Sequence, residues 1–261
     1  MDKEQYEILY RLEEHHWWYV GMQRIVDHLL RDQLNGSRQP RILDAGCGTG
    51  GMLNYLRRFG PAVGVDLADE AIALSRRRGL SSLAQGSVEQ LPFRDGSFDL
   101  VVSFDVIYHD AVMNDRLALQ EFGRVLRPGG KLLIRVPAYN WLRGSHDVAV
   151  HTRRRYTRRE LGAKLGGAGL RVTRLTYVNS FLFPVAAMKR LLEGRNHSFR
   201  PDLQLPPGPV NRALLGILSL EARLVDTVSF PWGLSVLALA EKPKWPSAFS
   251  GDEENHQDTK T

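Results

Sequence analysis

Residues 41–53, RILDAGCGTGGML, decide the fold. The run from Arg41 to Ala45 is short and mostly apolar, as a buried strand is, and it stops at a cluster of glycines: Gly46, Gly48, Gly50 and Gly51. MLNYLRRF (52–59) then follows with helical spacing. A strand that turns through glycines into a helix presents backbone N–H groups to a ligand at the edge of an α/β sheet. Gly46, Gly48 and Gly51 also satisfy G-x-G-x-x-G. Alone, that pattern says only that the backbone turns tightly and that something approaches it closely.

Two acids narrow the ligand. Asp44 sits two residues before Gly46, where a carboxylate opposes a pyrophosphate and suits an ammonium group. Asp66 ends the next apolar run, AVGVD (62–66), twenty residues after Gly46, where an acid accepts hydrogen bonds from ribose hydroxyls. A nucleoside with free ribose hydroxyls, an amino group and no phosphate describes S-adenosylmethionine. Cys47 reads as a small loop residue rather than a redox centre.

Outward from the loop, strands alternate with helices. ADEAIALSRRRG (68–79) is a helix ended by Gly79, LSSLAQ (80–85) a third strand and FDLVVSF (98–104) a fourth. MNDRLALQEFGRVL (113–126) is the helix after it, and KLLIRVP (131–137) a fifth strand. This alternation predicts a parallel sheet with helices on both faces. Residues 138–156 read as a polar, Arg-rich loop ended by a capping box, Thr157 to Glu160. LRVTRLTYV (170–178) and LSVLALAEK (234–242) supply two further strands, and 243–261 reads as a disordered polar tail.

Four segments in this order, ILDAGCGTGGML, VGVDLADEAI, GSVEQLPFRDGSFDLVVSFDVIYH and LRPGGKLLIRVP, cover about 40–140. Together they resemble the class I S-adenosylmethionine-dependent methyltransferases of the type 11 group. The resemblance implies a Rossmann-like, doubly wound, seven-stranded sheet, mostly parallel with an antiparallel last strand. It assigns Asp44, Gly46, Cys47, Gly48 and Gly50 to the methionine end of the cofactor, and Asp66 with Leu67 to the ribose. Ser87 and Val88 fall beside adenine. Ser87 stands where the family often has Asp, which leaves backbone at Val88 or Glu89 to serve. Phe104, at the end of the fourth strand, joins the cofactor set.

Methyl transfer from a sulfonium is an in-line displacement, in which alignment in a dry pocket matters most. A base is needed only where the acceptor must lose a proton. His109 is the candidate base or acceptor-positioning group, with Tyr108 in place of the family's usual Glu. Asp105 either orients His109 or caps backbone amides. The resemblance lays the 138–156 loop over the acceptor, making His146, His151, Arg155 and Tyr156 substrate candidates along with Tyr108. His146, Asp147 and His151 lack a third strong ligand, so no metal is expected. Arg153, Arg154, Arg155, Arg158 and Arg159 form either a solvated face or an anion site. So many cations near a helix start favour the anion site.

The chain has 261 residues, 43% hydrophobic and 25% charged, with a net charge of +6. That basic excess permits nucleic acid as a partner. Yet there is no appended RNA-binding module, zinc knuckle or Asn/Asp-Pro-Pro-aromatic motif. We therefore expect a small-molecule or lipid-like acceptor, neutral or anionic, methylated on oxygen or nitrogen. The alternatives are a non-catalytic S-adenosylmethionine-binding regulator and, less favoured, an RNA methyltransferase. An NAD-type oxidoreductase is disfavoured by Asp44 and by the LPFRDGSFD and LRPGG segments. One cysteine precludes an internal disulfide. No signal-type h-region and no apolar run of membrane-spanning length occur, so a cytoplasmic monomer or homodimer is expected.

Two segments flank this domain of 37–242. Residues 1–36, with EEHHWWYVGMQR (13–24), are implied by the resemblance to be a helical lid. There Trp17, Trp18 and Tyr19 exclude water from the sulfonium and Arg24 meets a carboxylate; alternatively the rings staple a helix to the sheet. The apolar helices of about 180–228 read as core, as a dimer face, as a cap lining the acceptor site, or as a contact with a membrane surface.

Overall fold

The computed structural model describes residues 3–31, 39–193 and 204–244. Most of the expected tail, the 194–203 stretch and Arg195 lie outside them. Seven strands form one sheet: β1 (Ile42–Ala45), β2 (Ala62–Asp66), β3 (Leu83–Gln85), β4 (Phe98–Phe104), β5 (Leu126–Pro137), β6 (Arg171–Val178) and β7 (Ser235–Glu241). Their order is β3-β2-β1-β4-β5-β7-β6. β1 pairs in parallel with β2 and β4, so it is covered on both faces and all four of its residues are buried. The order reverses between β1 and β4, the switch point where such sheets bind ligands. β7 runs antiparallel to β5 and to β6. The last strand is therefore antiparallel as expected, and it inserts between β5 and β6.

The helices are α1 (Lys3–Leu12), α2 (Trp17–Arg31), α3 (Gly51–Leu56), α4 (Asp69–Arg77), α5 (Asp115–Val125), α6 (Ser145–Ala149), α7 (Arg158–Gly167), α8 (Phe183–Glu193) and α9 (Gly208–Ala222). Strand residues alternate between two cores. Leu43, Val101, Leu132 and Ile134 pack with Leu119 and Phe122 of α5 and Leu161 and Leu165 of α7. Ile42, Val102, Leu133 and Leu237 pack with Met22 and Ile25 of α2, Leu53 of α3 and Leu218 of α9. Each such large apolar side chain contributes about 1.5–3 kcal/mol on burial. α2 and α9 touch closely: a Cβ on Gly21 would lie 2.2 Å from Leu218 Cδ2.

Local differences from the sequence reading have physical reasons. β5 starts at Leu126, not Lys131, because Leu126 pairs with Phe98 across an irregularity that Gly129, at φ +77°, helps to shape. Thr157 accepts the Glu160 N–H, but the Glu160 carboxylate pairs with Arg154, so only half of the capping box forms. The loop of 138–156 carries a short 3-10 turn (Asn140–Leu142) and α6, and it is pinned by bridges His109–Thr152 and Ala138–Tyr156. Among the described residues no helix is long and apolar enough to cross a membrane.

Candidate active site

The glycine loop is shaped by φ values only glycine adopts freely. Gly46, Gly48 and Gly50 lie at +88°, +55° and +86°. A Cβ on Gly46 would also come within 2.2 Å of Val106 Cγ2. The N–H groups of Gly46 and Cys47 both donate to the Val65 carbonyl, at 2.8 and 3.0 Å. Asp66 then holds the loop by accepting from the N–H of Gly48 (2.8 Å) and of Ala68 (3.0 Å). Each of its oxygens keeps a lone pair for another donor.

Asp44 is different. It is 2% exposed, and its Oδ2 has no hydrogen-bond partner. Burial, then the nearby charges of Glu13 and Asp66, push its carboxyl up to about 8. An orphaned buried oxygen of this kind calls for a donor from outside the chain. Glu13, between α1 and α2, is buried too, yet its Oε2 has three donors. It accepts from Thr49 Oγ1 (2.5 Å), the Gly51 N–H (3.0 Å) and Arg78 (3.0 Å). Arg78 also donates to the carbonyls of Tyr10 and Thr49, each at 3.0 Å. The N-terminal segment is thus tied to the glycine loop.

Between loop and N-terminal helices lies a cavity of about 480 Å³, the size of a small-molecule site. Asp44, Gly46, Cys47, Gly48, Asp66, Leu67, Ser87, Val88, Phe104 and Trp18 line it, as do Tyr108 and His109. Five other candidates do not. Gly50 begins α3 and only shapes the loop, a Cβ there falling 2.6 Å from Leu80. Arg24 turns away to the Ser219 hydroxyl on α9. Arg155 grips Asp147 with both arms, at 2.8 and 2.9 Å. Tyr156 is fully buried, its hydroxyl donating to Asp115 at 2.8 Å. His151 stands beside His109, ring centroids 5.9 Å apart, without reaching the cavity wall. His146 belongs to α6, and its side chain lies outside the described residues. Trp17 packs against the α2 core instead.

Two further expectations are corrected. Three of the five clustered arginines are engaged internally: Arg153 on the Val112 and Met113 carbonyls, Arg154 on Asp115 and Glu160, and Arg155 on Asp147, while the Arg158 guanidinium lies over the Tyr177 ring. Among the described residues of 180–228, none lines the cavity. Instead α9 packs on α2, and Glu221 accepts from the N–H groups of Asn179, Ser180 and Phe181.

At the far end of the cavity, Asp105 neither orients His109 nor caps amides. It sits at φ +56° and forms an ion pair with Arg135 of β5, which also lines the cavity. Sequence reasoning passed over Arg135, although its signal was present: a lone cation inside the buried run LLIRV. His109 Nδ1 accepts from the Ala111 N–H (3.1 Å) and faces Asp110 Oδ1 at 2.9 Å. The carboxylate favours a protonated ring and burial a neutral one; burial prevails and lowers the pKa. Among the described residues no group of three metal-ligating side chains occurs.

A doubly wound sheet with an acid-rich, phosphate-averse pocket at its switch point defines a nucleoside-binding α/β protein. The methyltransferase-domain family model matches residues 43–134. The Homo sapiens protein named "Probable tRNA methyltransferase 9B" is 38% identical over 112 residues, covering 42% of this chain and 24% of that one. This chain therefore spans about a quarter of that relative's length. The malonyl-[acyl-carrier protein] O-methyltransferase of Enterobacter lignolyticus is 30% identical over 189 residues, 69% of this chain and 74% of that one. A solved SAM-dependent methyltransferase of Thermotoga maritima shares the fold with a TM-score of 0.55 at 18% identity, covering 91% of this chain and 99% of that one. The chain belongs to the class I S-adenosylmethionine-dependent methyltransferases.

Proposed function

We propose that this chain transfers the methyl group of S-adenosylmethionine to an oxygen or nitrogen of a small-molecule or lipid-like acceptor. The observation that carries the reading is the orphaned Oδ2 of Asp44 in the wall of a cavity cradled by glycines at positive φ. Bound cofactor supplies an electrophilic methyl group on a sulfonium. Asp44 with the loop of Gly46, Cys47 and Gly48 holds the methionine end, Asp66 and Leu67 the ribose, and Ser87 with Val88 the adenine. Trp18 and Tyr19 close the cavity against water. His109, which burial keeps toward its neutral form, is the group on the cavity wall that acts as base or positions the acceptor atom.

The acceptor end supports an apolar substrate, being walled by Tyr108, Val112 and Val150. The Enterobacter relative, named for O-methylation of a carrier-bound acyl group, points the same way. The relative named for tRNA matches over 112 residues only, and three of the five clustered arginines, Arg153 to Arg155, are engaged internally. α8 exposes Val185, Met188, Leu191 and Leu192, which supports peripheral contact with a lipid surface. A cytoplasmic monomer or homodimer with its single buried thiol free completes the reading.

Labelled methyl donor incubated with lipid, small-molecule and tRNA fractions of a cell extract tests the proposal. Label is expected in the lipid or small-molecule fraction. Label confined to tRNA would reverse the acceptor assignment. Tight donor binding with no labelled product in any fraction would favour the non-catalytic alternative.

A further inference from the structure

We propose that Arg135, paired with Asp105 and held between Trp18 and Phe104, anchors the α-carboxylate of the donor's methionine end. The inference rests on the reading that the cavity takes S-adenosylmethionine, and it adds the recognition of the amino-acid head. β4 and β5 pair with Phe104 opposite Arg135, so the two side chains share one face of the sheet. Two residues earlier on that face, Val102 and Leu133 are core beneath α2. At the strand ends the core gives way to the cavity, and there the sequence places a cation.

The setting is built around that cation. Arg135 is 5% exposed and lines the cavity. Its guanidinium carbon lies 5.2 Å from the Trp18 ring centroid and 5.1 Å from that of Phe104. Its terminal nitrogen pairs with Asp105, while the buried Nε has no partner. A guanidinium flanked by two rings, which cannot accept its N–H groups as a carboxylate does, keeps donors for a ligand whose oxygens match its fork. Leaving a buried N–H unsatisfied is costly, so a partner is called for. Asp105 holds its ion pair from a positive φ that non-glycine residues seldom adopt, a form of strain concentrated at functional sites.

Charge completes the case. Among the described residues lining the cavity, Arg135 is the one lysine or arginine, against Glu13, Asp44, Asp66 and Asp105. The donor's ammonium and carboxylate share one carbon, so it needs acid and base side by side. Asp44 pairs with Val102, two residues before Phe104, which places Asp44 and Arg135 on one face across β4. Two strand spacings and two residues of rise separate their α-carbons by about 12 Å. Side chains reaching inward from both leave room for one amino-acid head. Arg24, six residues after Trp18, is held by Ser219 on the other side of α2.

Calorimetry on the full chain with three ligands tests the assignment: S-adenosylmethionine, its decarboxylated analogue, which keeps sulfonium and ammonium, and 5′-methylthioadenosine, which has neither head group. Wild type should bind the first at least about tenfold tighter than the second, as a charge-assisted contact requires. Arg135→Met should lose about 30-fold for S-adenosylmethionine and stay within about threefold for the other two. Arg135→Lys, which keeps the charge if the Met variant does not fold, should show a smaller loss of the same selectivity. Equal loss for all three ligands would make Arg135 purely structural and overturn the proposal. Unchanged donor affinity with loss of acceptor turnover alone would also overturn it, moving the anchor to the acceptor. If wild type bound none of the three, the cofactor reading itself would fall.

Discussion

Replacing Asp44 by asparagine probes the electrostatics of the donor site. In the free protein its carboxyl is pushed up to about 8 from the ordinary 3.8, first by burial and then by Glu13 and Asp66. The folded chain therefore holds a proton that the unfolded chain has already lost. Stability from this group is full below about pH 4 and is lost as pH rises through 8. Some four pH units at about 1.4 kcal/mol each cap that loss at about 6 kcal/mol, and coupling to Glu13 and Asp66 lowers the realised figure. At pH 7 about nine in ten Asp44 carboxyls are protonated. An arriving ammonium favours the carboxylate, so binding expels that proton. Calorimetry at pH 7 in buffers of different ionisation enthalpy should report a net release of up to about one proton per S-adenosylmethionine from this group. Asp44→Asn should abolish that release, weaken binding by about tenfold or more, and raise the melting temperature of the unliganded protein at pH 8. The same proton release from both proteins would refute the reasoning.

Three further perturbations separate ligand contacts from scaffold. Trp18→Ala removes one ring from the Arg135 clamp and should weaken S-adenosylmethionine binding about tenfold, in keeping with a desolvated cation–π contact; Trp17→Ala should leave it within about twofold, and the opposite ranking would invert the roles of the two rings. Tyr156→Phe should cost about 1–2 kcal/mol in urea denaturation with donor and acceptor affinities unchanged, whereas a change in either affinity would return Tyr156 to the site. His109 is lowered by burial, so the unfolded chain takes its proton first. The resulting penalty on the fold sets in as pH falls through about 6.5 and levels off below the folded value. His109→Gln should flatten that acid-side slope in pH-dependent melts, and an unaltered slope would show that the ring is not held neutral.

The glycine-loop wall of the cavity was legible because its determinants are local. A carboxylate, three glycines and a second acid twenty residues on are fixed by one turn and one crossover. Strands β2 and β4 were read to the residue since each is an apolar run bounded by turn formers. The rest depends on distant partners. The arginines after His151 looked like an anion site because their partners, Asp115 and the Val112 carbonyl, are some forty residues away in sequence. Arg24 drew attention by its closeness to Trp18, yet six residues of helix turn it about 240° round the axis, toward α9. Met22, four residues from Trp18, shares the cavity wall instead. Arg135 needed the pairing of β4 with β5 before its neighbours could be known.

Glu13 belongs by sequence to the segment that covers the cavity, but its carboxylate satisfies donors on Thr49 and Gly51 at the floor. Cover and floor therefore share one hydrogen-bond account, and neither is complete without the other. A chain beginning at residue 39 would lose more than shielding from water: the first turn of α3 would lose its carboxylate cap, and the Arg78 guanidinium would face the loop without its buried counter-charge. Donor binding, shape of the glycine loop and docking of the N-terminal helices should then respond as one cooperative unit, so that ligand slows amide exchange at Gly51 and in α1 together.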